Sequence, residues 1–168
     1  MNKKALIILF SIFLVTNPVK ASNDELGEIY LKGGYSELNS AIKEAEKFLG
    51  QEIILPTRIA PIAFTHCFGR FTNVGSPKLE ITFLDEKAGK THYKVIVIPS
   101  EDKQVFKNKK KIEKIELEDG TKGIYYNSDN FNILTMEKNG LQYMFMVDEL
   151  NSKVVTKEVL LSIANSIK

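Results

Sequence analysis

Tryptophan is absent from this chain of 168 residues, and it holds one cysteine and two histidines. A single cysteine cannot close an intramolecular disulfide, so stability has to come from packing. Cys67, His66 and His92 are too few and too scattered for a metal-ligand signature, and no metal or other cofactor is expected. His66 and Cys67 adjoin on a predicted strand and so point to opposite faces. That excludes a nucleophile and base acting together from those positions. Cys67 reads as a small core residue. Gly33-Gly34 lacks both a preceding strand and a following Gly-Lys-Ser/Thr, so it reads as a turn between helices rather than a phosphate loop. Without convergent reactive groups, the expectation is a protein that is not an enzyme.

An excess of one charge is also missing. The 23 basic residues stand against 21 acidic ones. Lys3, Lys4 and Lys20 belong to an N-terminal stretch with no acids, so beyond it 20 basic residues face all 21 acidic ones. Such a balance supplies no general electrostatic reason to expect nucleic acid as a partner.

Long apolar runs are scarce too. The one that stands out, Ala5–Val15, spans 11 residues with Ser11 inside it, well short of the roughly 20 that a membrane-crossing helix requires. Preceded by Lys3-Lys4 and followed by Pro18 and Val19-Lys20-Ala21, it has the order of a secretory signal. Residues 1–21 are therefore expected to be a signal peptide cleaved after Ala21, with an uncleaved anchor as the alternative. The residue at the cleavage point is Ser22 rather than a cysteine that could carry a lipid. The remaining chain, 22–168, is long enough for one domain with a real core, secreted or extracytoplasmic and with no transmembrane span.

Along that domain, Ser36 is placed to cap a helix whose Leu38, Ala41, Ile42, Ala45, Phe48 and Leu49 form one apolar stripe, closed by Gly50. A short helical turn within Asp24–Leu31 precedes it. Gln51–Pro61, broken by Pro56 and Pro61, reads as an extended connector laid on the core. Strand signals follow over Ala63–Thr72, Leu79–Phe83 and Thr91–Ile98. Two turns of hairpin chemistry, Asp119-Gly120 and Asn139-Gly140, then predict registers. The first sets Leu117 opposite Lys122, Ile115 opposite Ile124 and Glu113 opposite Tyr126. The second sets Met136 opposite Tyr143, Leu134 opposite Phe145 and Asn132 opposite Val147, with Thr135–Met144 and Ile133–Met146 on the other face. A closing helix is predicted from Thr156 as cap, with Val155 and Leu160 as staple and Leu160, Ile163, Ala164 and Ile167 as stripe. The expected fold is α+β: a curved antiparallel sheet of about seven strands with N-terminal and C-terminal helices packed on one face.

The helix ending Ala45-Glu46-Lys47-Phe48-Leu49-Gly50, the segment Ile53-Ile54-Leu55-Pro56, the Asp119-Gly120-Thr121-Lys122-Gly123 turn, the hairpin from Leu134 to Tyr143 and the last helix together resemble a known family. It is a domain-of-unknown-function family of exported or membrane-anchored proteins of Gram-positive spore-formers, sometimes the outer domain of anti-sigma factors. The resemblance implies a curved sheet of the lipoprotein-carrier type and no catalytic residues. Its "LT-x-E-x-N-G" hairpin is matched at Leu134–Gly140, while Pro56–Pro61 lacks the glycine the family usually carries there.

Two sets of residues are candidates for binding. Ile133, Met144 and Met146 gather on the face opposite the main apolar one, where they either line a groove for an acyl chain or partner segment or form a second small core under Gln51–Pro61. Lys107, Lys109, Lys110, Lys111 and Lys114 form the densest charge run. It is either a patch for anionic wall polymers or phospholipid headgroups or a solvated linker balanced by Glu113, Glu116, Glu118 and Asp119. The expected function is an exported, non-enzymatic binding or interaction domain whose partner is a protein or cell-envelope component. The alternative is a carrier or sensor of a lipid or other apolar ligand in the hollow of the sheet.

Overall fold

A computed structural model of the chain describes residues 25–88, 90–107, 112–127 and 131–168. The signal expected at 1–21 lies outside them, as do Lys109, Lys110 and Lys111 of the lysine run.

The elements run α1 (Glu25–Lys32), β1 (Ser36–Glu37), α2 (Leu38–Leu49), β2 (His66–Thr72), β3 (Lys78–Asp85), β4 (Lys90–Pro99), β5 (Ile112–Glu116), β6 (Lys122–Asn127), β7 (Phe131–Lys138), β8 (Leu141–Asp148) and α3 (Lys157–Ala164). All eight strands join one open antiparallel sheet in the order β1-β2-β3-β4-β8-β7-β6-β5. The α+β architecture is as the sequence pattern predicts, with one strand more. The addition is β1, and it lies where Ser36 was expected to cap a helix. Ser36 and Glu37 instead pair with Gly69 and Phe68, and α2 starts at once from Glu37 without a side-chain cap. At its other end Gly50, at φ 68°, closes α2 in the left-handed conformation and donates to the Glu46 carbonyl.

Period-two alternation gives the sheet two faces. The first carries Leu79, Ile81, Tyr93, Val95, Val97, Leu134, Met136, Tyr143, Phe145 and Val147, all buried in one core with Ala41 and Ala45 of α2 and Leu160, Ile163 and Ala164 of α3. Connector residues Ile53 and Ala60 fill the same core. Close approach of α2 depends on Gly69, where a β-carbon would stand 2.5 Å from that of Ala41. The helix α3 is capped by the Thr156 hydroxyl, which accepts from the Val159 N–H, with Val155 and Leu160 both fully buried. The helix α1 departs from the one-faced expectation. Its Tyr30 stacks on Phe68 with ring centres 5.0 Å apart, and Phe68 points away from α2 because Cys67 and Phe71 pack in the main core.

The two hairpins obey different turn physics. At Asn139-Gly140 both residues have positive φ, 52° and 74°, the signature of a type I′ turn, and every predicted pairing from Met136–Tyr143 to Ile133–Met146 is present. At Asp119-Gly120 the predicted register is wrong by one residue. Among the described residues only Asn139 and glycines have positive φ, so Asp119 cannot be half of a type I′ turn. The Asp119 carboxylate instead accepts from the Thr121 N–H, and Gly120, at φ 82°, returns its own N–H to the Leu117 carbonyl. A three-residue loop with a left-handed glycine results. Ile115 therefore faces Gly123, Glu113 faces Tyr125 and Lys114 faces Ile124. Gly123 is needed there, since a β-carbon would meet Ile115 at 3.0 Å and the Thr135 carbonyl at 2.7 Å. The slip sends Ile124 to the second face, away from Ile115, which it was expected to oppose.

Candidate functional site: the second face of the sheet

The second face is where the candidate residues meet. Ile133 and Met144 are buried there with Ile98, while Met146, Ile96, Phe106 and Tyr126 pack around them. Sequence reasoning thus placed Ile133, Met144 and Met146 together correctly, but the expected cover is wrong. The connector Gln51–Pro61 belongs to the opposite face through Ile53 and Ala60. The second core is closed by the segment after β4, whose Phe106 lies flat on Tyr126 at 4.6 Å between ring centres and an interplanar angle of 7°.

That segment is clamped in place. Gln142, buried in β8, accepts from the Gln104 N–H at 2.9 Å and donates to the Gln104 carbonyl at 3.1 Å. Lys103 adds an ion pair to Glu137 at 2.9 Å. Between this wall and β5–β7 runs an open groove of about 560 Å³, whose lining includes Val105, Ile112, Ile124, Thr135 and Met136. Val105 is 70% exposed, an apolar side chain standing in water at the groove's lip. Three lysines also border the groove, Lys103, Lys114 and Lys122. Lys103 is paired with Glu137 and Lys122 with Glu116, whereas Lys114 has no ion pair among the described residues.

Of the expected lysine patch, the structure brings Lys114 to this groove and leaves Lys107 exposed at the end of the wall segment. Ile133, Met144 and Met146 lie beside the groove but do not line it.

No family model, no curated protein and no solved structure matches this chain.

The other half of the second face holds a charged cluster. Glu80 of β3, its side chain 6% exposed, receives the Tyr35 hydroxyl at 2.5 Å and the Lys94 ammonium at 2.7 Å on one oxygen, and Arg70 at 3.3 Å on the other. Lys78 stands 3.6 Å away. The Arg70 guanidinium lies over the Tyr35 ring at 4.3 Å and donates to the Gly33 carbonyl, which ties the turn after α1 to the sheet. Burial alone would raise the Glu80 carboxyl. Hydrogen bonds from Lys94 and Tyr35 and the charges of Lys94 and Arg70 outweigh it and hold the group at about 2, below the ordinary 4.5. Burial and the bond to Glu80 push the Tyr35 hydroxyl up to about 12.

His66 and Cys67 are on opposite faces, as their adjacency requires. His66 is buried on the second face, its ring stacked on Phe68 at 5.7 Å and its Nδ1 2.7 Å from the Thr65 hydroxyl. Cys67 packs against the main core, and burial pushes its thiol up to about 12, so it stays protonated and unreactive at neutral pH. Among the described residues no group of His, Cys, Asp and Glu is arranged to hold a metal, and no helix is long and apolar enough to cross a membrane.

Two features were missed from the sequence. One is the Gln104–Gln142 clamp, whose signal is a lone glutamine in the otherwise apolar Leu141–Val147. The other is the Glu80 cluster, whose signal is a lone acid in Leu79–Leu84.

Proposed function

We propose that the protein is a non-catalytic binding domain, exported and released by cleavage after Ala21, that receives its partner in the groove beside β5. The observation carrying this reading is the open apolar trough of about 560 Å³ whose wall is fixed in advance by the Gln142 clamp. The main core is buried between sheet and helices, whereas the groove is apolar space open to a partner. Lys114, without an ion pair among the described residues, suits a ligand that brings an acidic group with its apolar part. A protein segment or cell-envelope component of that chemistry is the leading partner. The export step rests on Lys3-Lys4, Ala5–Val15 and Ala21, and it agrees with the resemblance to exported proteins of spore-formers.

A second reading, a carrier or sensor of a lipid in the hollow of a curved sheet, is favoured by the same apolar lining, since Lys114 would equally meet a fatty-acid carboxylate.

Val105→Asp and Lys114→Glu alter exposed side chains and should leave the unfolding free energy measured in urea within ~0.5 kcal/mol of wild type. Each is expected to weaken ligand retention about tenfold or more, as the loss of one desolvated contact of ~1.4 kcal/mol does. Ile133→Ala should do the opposite, costing about 2 kcal/mol of stability while the ligand is retained. Cross-linking on intact cells reads the protein partner, and uptake of a fluorescent fatty acid reads the lipid. Full retention of both by Val105→Asp and Lys114→Glu would place the site elsewhere.

A further inference from the structure

The Glu80 cluster holds more positive charge than it needs. Arg70, Lys78 and Lys94 converge on one carboxylate, which leaves a formal surplus of +2. The arrangement is layered: the carboxylate is 6% exposed, whereas the three cationic side chains are 33, 31 and 32% exposed and lie between it and water. An ionised carboxylate offers about four lone-pair positions. Oε1 accepts from Tyr35 and Lys94, with the Thr82 hydroxyl 3.5 Å from it, and Oε2 accepts from Arg70. Lys78, 3.6 Å from Oε2, is held at ion-pair distance and donates no hydrogen bond among the described residues. The buried Arg70 Nε has no acceptor among the described residues. Stacking on Tyr35 and the bond to the Gly33 carbonyl fix the guanidinium in place, so little freedom remains to be lost when an anion arrives.

We propose that Arg70, Lys78 and Lys94 form a second binding site, for a phosphate group, in which Glu80 and Tyr35 hold the cations converged and the anion neutralises their surplus charge. Phosphate offers a dianionic charge and several acceptor oxygens, which match two flexible ammonium groups beside one planar guanidinium. The site lies on β2–β4 and is independent of the groove on β5–β7. The same chemistry is presented by free phosphate and by a phosphomonoester lipid headgroup.

Titration of the purified domain with inorganic phosphate, followed by NMR, is expected to move the Arg70, Lys78 and Lys94 signals saturably and to raise the thermal midpoint. Lys78→Ala should weaken that binding about tenfold or more, the worth of a charge-assisted hydrogen bond, and Lys78→Gln should do the same with the chain's bulk kept. Lys43→Ala on the exposed face of α2 serves as control. Co-sedimentation with phosphatidylcholine vesicles containing phosphatidic acid, but not with phosphatidylcholine alone, would identify a headgroup as the source. A saturable response to inorganic phosphate without vesicle binding would identify free phosphate. No saturable shift, or equal affinity in wild type and both Lys78 variants, overturns the proposal and leaves the groove untouched.

Discussion

Replacing Phe145 with alanine is expected to cost about 4 kcal/mol of folding free energy. Phe145 is 0% exposed and sits at the seam of the sheet, directly opposite Val95 on one side and Leu134 on the other. Both neighbours are buried, and their positions are fixed by ladders on β4 and β7, so the walls of the resulting cavity cannot collapse inward easily. Urea denaturation should show a much lower midpoint with an unchanged slope. Phe145→Leu, which keeps most of the volume, should cost well under half as much. A loss below ~1 kcal/mol for the alanine variant would mean that this seam is not the centre of the core.

Glu80→Gln is the second large effect, and its cause is electrostatic. The amide keeps the carboxylate's shape but leaves Arg70, Lys78 and Lys94 facing one another without their shared anion. Removing one partner of a buried ion pair costs ~3–5 kcal/mol, and the partial exposure of the three cations places the expected loss near the lower figure. The pH dependence gives a sharper check. Because the folded carboxyl titrates at about 2 and the ordinary value is 4.5, Glu80 contributes its stability above about pH 4.5 and loses it as pH falls toward 2. Wild type should thus lose stability across that acid window, and Glu80→Gln should lose correspondingly less. Parallel acid profiles for the two proteins would show that Glu80 is not held by its cations.

Much of the fold is legible in the residues because local chemistry and global packing agree. Asn139-Gly140 satisfies a type I′ turn whatever surrounds it, and the whole β7–β8 ladder follows. The stripes of α2 and α3 state their buried faces equally plainly. Elsewhere the deciding contact is remote. Two paired residues at Ser36–Glu37 leave no periodic pattern, so β1 is invisible until Gly69 and Phe68 are beside it. The Asp119-Gly120 turn reads as two-residue chemistry, yet the bond from the Thr121 N–H to the Asp119 carboxylate and the crowding at Gly123 select the longer loop. That single slip moves Ile124 into the groove, which is why the groove could not be drawn from the alternation of apolar residues. Glu80 alternates with apolar Leu79 and Ile81, and its burial depends on cations from β2 and β4 and a tyrosine preceding α2.

The strand order carries a consequence for how the chain acquires this structure. β2-β3-β4 and β5-β6-β7-β8 are each consecutive meanders, whereas β4 finds β8 only by joining Tyr93 to Val147 and Pro99 to Leu141 across all of the second meander. Hairpins between consecutive strands close small loops and form early, and the long closure carries the larger entropy loss. The β4–β8 seam is therefore the step at which two halves become one cooperative unit. Substitutions there should slow folding, while those near the outer strands should chiefly hasten unfolding.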